Sequence, residues 1–238
     1  MDDELFKLNK GIIPACDVET LDELEYIVKQ TSELKGIVGY KVGISLALQY
    51  GLKKVITTIK DITDHSVIYD HQKAGTDIPQ LGNLFAKVCK RSGVDGAIIF
   101  PQSGPETEKA FITALIKEEI TPLIGGEMTH PKYLEKDGGY LRDNAVDEMY
   151  TIGAKIGTEY FIVPGNKPES IDHYKKLLKK FVSDPKFCMP GIGRQGGDIT
   201  SAFNVAGDYS YAIIGSGIYK SSNIRGAAEN YCKEALHA

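Results

Sequence analysis

A chain of 238 residues with a net charge of −4 and 42% hydrophobic residues is the size of one globular domain, with enough length to bury a sizeable core. It lacks the basic excess that marks nucleic-acid partners, and no apolar stretch approaches the ~20 residues needed to span a membrane. The charged start MDDELFKLNK has no signal-peptide core, and the four cysteines, Cys16, Cys89, Cys188 and Cys232, form no CxxC pair, so the expectation is a cytoplasmic protein with reduced thiols and no zinc site.

Short apolar runs recur along the chain. The first, Gly11 to Cys16, stops at Asp17. Thr20-Leu-Asp-Glu23 then has capping-box spacing, and Leu21, Leu24, Ile27 and Val28 share one helical face. The second run, Val38 to Val42, contains Lys41. The third, Ser66 to Tyr69, stops at Asp70, with Lys73 and Asp77 close behind. A fourth covers Ala97 to Phe100, and a fifth, Thr121 to Ile124, is followed by Glu127 and Thr129. The sixth, Tyr160 to Val163, precedes a helical pattern that opens at Pro168, a favoured first-turn residue, and carries Ile171, Tyr174, Leu177, Leu178 and Phe181. The seventh, Lys186 to Met189, leads into Pro190-Gly-Ile-Gly-Arg-Gln-Gly-Gly-Asp198. The eighth, Tyr211 to Ile214, leads into Gly215-Ser-Gly217. A last helical pattern carries Ala227, Ala228, Tyr231, Cys232 and Ala235.

Runs that are apolar on both faces suit parallel strands covered by helices. No linker or low-complexity tract interrupts the alternation. Eight strand–helix units at about 30 residues each fit the length, which predicts an α/β chain folded as a single (β/α)8 TIM barrel over residues 1–238. An open doubly wound sheet is the alternative, and the eight-fold count favours closure.

Barrel active sites are built at the C-terminal ends of the strands. The loops after the seventh and eighth runs read as a phosphate cradle, because glycines let backbone N–H groups approach an anion and Arg194 and Gln195 add donors. The same glycines also suit tight turns that need positive φ. Lys41, Asp70, Lys73 and Asp77 alternate in sign, so that in a barrel mouth each would hold the next in its charged form. Such a set suits a reaction that expels negative charge and then needs a proton, although it also fits a structural ion-pair network.

From about Pro14 to Tyr219 these motifs resemble the orotidine 5′-phosphate decarboxylase family, its archaeal members above all. The resemblance implies roles. Asp17 in PACDV would contact ribose, and Lys41 in YKVGISLAL matches the family's second-strand lysine. Asp70-His-Gln-Lys-Ala-Gly-Thr-Asp-Ile-Pro79 is similar to the signature Asp-x-Lys-x-x-Asp-Ile. By that match Lys73 is the proton donor, and Asp77, with Ile78 beside it, reaches into a neighbouring subunit's site. Thr129 in Glu127-Met-Thr-His-Pro131 would touch the pyrimidine. Pro190, Gly193, Arg194, Gln195 and Gly196 would grip phosphate, as would Gly215 and Ser216 of the eighth-strand motif. The implied reaction releases carbon dioxide from orotidine 5′-phosphate to give UMP, with no cofactor or metal, in a homodimer with shared sites and without nucleic-acid or membrane partners.

Three departures from the family pattern carry expectations of their own. The signature is two residues longer, and side chains three apart on a regular strand face opposite ways. Asp70 and Lys73 therefore converge only through a bulge or turn, or else His71 takes the carboxylate's place; Asp70 is preferred. Ser216 stands where the family has an arginine, so Arg194 would supply that charge. Leu81 stands where a ribose-contacting threonine is usual. The competing readings are a magnesium-dependent sugar-phosphate lyase of the same superfamily, disfavoured by Lys41 because a cation there would repel the metal, and a non-catalytic phosphate-binding barrel.

Overall fold

The computed structural model describes residues 4–72 and 77–238. Eight parallel strands alternate with helices in chain order: β1 (Lys10–Pro14), α1 (Leu21–Thr31), β2 (Gly39–Gly43), α2 (Ile44–Tyr50), α3 (Leu52–Lys60), β3 (Ser66–Gln72), α4 (Gly82–Ser92), β4 (Gly96–Ile99), α5 (Pro105–Lys117), β5 (Thr121–Gly125), α6 (Ala145–Ile156), β6 (Tyr160–Ile162), α7 (Pro168–Leu178), β7 (Lys186–Met189), α8 (Ile199–Ala206), β8 (Ser210–Ile214), α9 (Ser216–Tyr219) and α10 (Ile224–His237). The sheet runs β1-β8-β7-β6-β5-β4-β3-β2. Its two ends meet through bridges Ile12–Ile37 and Ala15–Lys41, with the Val38 N–H donating to Ile12 C=O at 3.0 Å and the Cys16 N–H to Lys41 C=O at 2.8 Å. The seam excludes the open doubly wound sheet.

Strand alternation sorts the residues into two cores. Inside the barrel lie Ile13, Ile68, Ile98, Leu123, Ile162, Cys188 and Ile213, with Phe6 stacked below them. Between strands and helices lie Ile12, Tyr40, Val42, Val67, Tyr69, Ile99, Phe161, Ala212 and Ile214. Both faces are largely dry, hence the mostly apolar runs. The capping box forms: Thr20 Oγ1 accepts from the Glu23 N–H, and Glu23 Oε2 accepts from the Thr20 N–H. Leu24, Ile27 and Val28 are buried.

One helical expectation is corrected. The pattern beginning at Pro168 stops at Leu178, and Phe181 lies beyond it, 41% exposed. Past Leu178 the backbone tightens into i→i+3 turns, with the Lys180 N–H donating to Leu177 C=O at 3.3 Å and the Phe181 N–H to Leu178 C=O at 2.8 Å. Phe181 instead lies under the Lys155 ammonium, 5.3 Å from the ring centre.

Candidate active site at the barrel mouth

At the C-terminal ends of the strands lies a cavity of about 340 Å³, within the range of small-molecule sites. Asp17, Lys41, Asp70, Glu127, Thr129, Pro190, Arg194, Gln195, Gly215 and Ser216 all line it. Two larger clefts lie elsewhere, about 620 Å³ beside α5 and α6 and about 990 Å³ at the opposite end of the barrel. Neither brings glycine loops together with a buried charge pair.

Lys41 occupies an inward position on β2, between the outward Tyr40 and Val42. Its ammonium donates to Asp70 Oδ2 at 2.9 Å and to Asp17 Oδ1 at 3.1 Å. The Lys41 and Asp70 side chains are 9% and 7% exposed, whereas that of Asp17 is 46% exposed. Burial by itself would drive the ammonium towards its neutral form, but the carboxylates of Asp70 and Asp17 outweigh it and hold the pKa above the usual lysine range. The two carboxylates therefore favour the charged ammonium.

The expected irregularity in the third strand is present. Asp70 pairs with Ile98 and Gln72 with Ile99, so three residues of β3 oppose two of β4. His71 does not enter the mouth. Its Nδ1 lies 2.6 Å from Tyr69 Oη and its ring packs near Phe85 of α4, outside the barrel. The alternative in which His71 replaces the carboxylate is thereby set aside in favour of Asp70. Lys73 lies outside the described residues.

Asp77 and Ile78 do not line this cavity. Asp77 is exposed, and its Oδ1 accepts from the Ile78 N–H at 2.7 Å. Its carbonyl accepts from Thr107 Oγ1 at 2.9 Å. Ile78 is 57% exposed. Leu81, at the family's threonine position, is half-buried against the outer core.

The β7 loop is a tight turn as well as a cavity wall. Gly191, Gly193 and Gly196 have φ of 94°, 80° and 90°, a region that favours glycine. The Gly193 N–H donates to Gly197 C=O and the Gly196 N–H to Gly193 C=O, both at 2.9 Å. Gly193 and Gly196 thus shape the loop, while Arg194 and Gln195 face the cavity. Asp198 caps α8, accepting from the Ser201 N–H at 2.8 Å. Tyr231 of α10 backs both glycine segments: a Cβ on Gly193 or Gly217 would fall 2.8 or 2.7 Å from its hydroxyl.

The sequence reading passed over Lys167 and gave Glu127 no role. Glu127 is 4% exposed; its Oε1 accepts from Lys167 Nζ at 2.7 Å and its Oε2 from Tyr174 Oη at 2.6 Å. The same search of strand ends, applied to the sixth run, would have found Asn166 and Lys167 just past it. Among the described residues no three His, Cys, Asp or Glu side chains converge as a metal site.

Comparison with known proteins bears on the family and the fold. An orotidine 5′-phosphate decarboxylase from Methanococcus maripaludis is 30% identical over 91% of this chain and 93% of the relative. One from Pyrococcus furiosus is 31% identical over 94% and 96%. The Methanocaldococcus jannaschii orotidine 5′-monophosphate decarboxylase complexed with inhibitor BMP superposes with a TM-score of 0.82 at 26% identity, covering 95% of this chain and 98% of that one. The Pyrococcus horikoshii enzyme gives 0.78 at 28% identity, covering 94% and 99%. Residues 10–231 match the family model described as Orotidine 5'-phosphate decarboxylase / HUMPS family, and the chain belongs to that family.

Proposed function

We propose that this chain is an orotidine 5′-phosphate decarboxylase of pyrimidine biosynthesis. The observation that carries the reading is the Asp17–Lys41–Asp70 chain of charges, held in a cavity whose far wall is two glycine loops. The curated relatives bear the decarboxylase name. The magnesium-dependent reading is not favoured, because the Lys41 ammonium sits where the carboxylates would otherwise receive a metal.

In the reaction the bond from ring carbon C6 to the carboxylate breaks, its electron pair stays on C6, and a proton replaces carbon dioxide. Lys73 would stabilise the developing charge and deliver that proton. A one-residue bulge just after Asp70 is the kind of irregularity this role needs. Lys41 fixes Asp70 beside the reacting carbon. Asp17 meets ribose, and Thr129 meets the pyrimidine. Arg194 and Gln195, with the β8 loop at Gly215 and Ser216, take the phosphate. A charge-assisted contact of the Arg194 kind is worth roughly 1.5–3 kcal/mol.

A homodimer with shared sites also belongs to this reading. Asp77 is exposed away from its own cavity, and Ile78, Leu84 and Val88 beside it are exposed apolar residues, 57%, 56% and 39%.

The test is loss of orotidine 5′-phosphate followed by absorbance, with and without chelator. Lys73→Ala should abolish turnover and leave UMP binding largely intact, and chelator should change nothing in the parent enzyme. Turnover that stops with chelator and returns with magnesium would overturn the reading.

A further inference from the structure

The turn after β6 carries none of the residues assigned above, yet it touches the loops on either side of it. Lys167 donates to Glu127 Oε1 at 2.7 Å and to the Met128 carbonyl at 3.1 Å. Asn166 Nδ2 reaches the Thr129 carbonyl at 3.5 Å. On the other flank the Gly165 N–H donates to the Pro190 carbonyl at 2.7 Å, at the start of the phosphate loop. A buried carboxylate is costly unless it is paired. Glu127 has both oxygens engaged, one by Lys167 and one by Tyr174, so the β5 loop is tied at the residue two before Thr129.

We propose that Lys167, through its pair with Glu127, is a positioning residue that sets Thr129 against the base and so determines selectivity for a pyrimidine nucleotide over a bare sugar phosphate. The inference rests on the reading that Thr129 meets the pyrimidine. Lys167 is 24% exposed in its side chain and has a flexible stem, so it can hold the loop only while Glu127 keeps it in place. The phosphate-facing residues lie on the β7 and β8 loops and keep their own hydrogen bonds without it.

The experiment compares a ligand with the base and one without it. Lys167→Met should raise KM for orotidine 5′-phosphate and the inhibition constant of UMP by about tenfold. The inhibition constant of ribose 5-phosphate should move by less than about twofold, and kcat should fall less than KM rises. Lys167→Arg keeps the charge and should restore most of the loss. The double variant Glu127→Gln/Lys167→Met removes the orphaned charge, so it protects folding while showing the same base-selective loss. An equal loss for UMP and ribose 5-phosphate, or no loss for either, overturns the proposal. Thr129→Ala separates the two readings. If it gives the base-selective loss and Lys167→Met does not, the positioning role alone falls. If Thr129→Ala is neutral, the assignment of Thr129 falls and the inference with it.

Discussion

The two ends of the barrel each bury a lysine between two carboxylates, and they use it differently. At the mouth Lys41 pairs with Asp70 and Asp17 and lines a cavity. At the opposite end Lys186 pairs with Glu159 at 2.9 Å and Glu4 at 3.3 Å. Its ammonium also lies 5.0 and 5.6 Å from the ring centres of Tyr160 and Tyr209. Below the mouth the barrel is packed by Phe6, Tyr160 and Tyr211, with Phe6 and Tyr211 4.5 Å apart. The side-chain exposures of the lysines are alike, 9% and 8%, but those of their partners are not. Asp70 is 7% exposed, whereas Glu4 and Glu159 are 41% and 55% exposed. Asp70 cannot exchange its lysine for water, and the two glutamates can. Position follows the general division of this fold, with chemistry at the strand C-termini and stability at the N-termini.

The largest expected effect is at the mouth. Lys41→Met takes from buried Asp70 its 2.9 Å ion pair and should lower stability measurably. Turnover should fall about 10²–10³-fold, as for loss of a preorganised charge in an active site. Adding Asp70→Asn should recover stability in urea unfolding and recover no turnover. Recovery of turnover would mean that the pair is structural, like its counterpart at the other end.

A buried acid outside the mouth sharpens the comparison. Glu108 of α5 is 1% exposed, and its Oε1 has no hydrogen-bond partner among the described residues. Burial pushes its carboxyl up to about 8. Because the folded value lies above the unfolded one near 4.3, the folded state holds the proton more tightly. Stability from this group is complete below about pH 4.3 and falls as pH rises towards 8. Glu108→Gln should therefore unfold later than the parent at pH 9, by a few kcal/mol and about 5 at most. The gap should close at pH 5. An equal gap at both pH values would show that the carboxyl is solvated or paired in solution.

What the amino-acid order made legible follows from how local each cause is. The strands were readable because both faces of each are largely dry, so the runs are mostly apolar on both sides. The capping box and the glycine loop at 191–197 are set by residues within a few positions of each other. The β3 bulge was legible only as a need, since side chains three apart on a regular strand face opposite ways; the register with β4 locates it after Asp70. Lys167 was not legible as a partner of Glu127 because 40 residues separate them and only closure of the barrel brings them together. Phe181 misled because helical periodicity continues past Leu178 although the backbone there has already tightened into a turn.

The smallest effect is expected where the sequence pattern would place a second active lysine if burial alone were the guide. Lys186→Met removes two ion pairs and two ring contacts, yet Glu4 and Glu159 are already half in water and can turn outwards. Exposed partners of this sort contribute about 0–1 kcal/mol per pair, and the methionine stem keeps the packing against Tyr160. The backbone bond from the Lys186 N–H to Glu159 C=O at 2.8 Å is untouched. Unfolding should shift by about 1 kcal/mol, and kcat and KM should stay within error of the parent, because Lys186 lies at the far end of the barrel from Asp70. A loss of turnover without a loss of stability would break the comparison, for it would make the floor of the barrel part of the catalytic machinery.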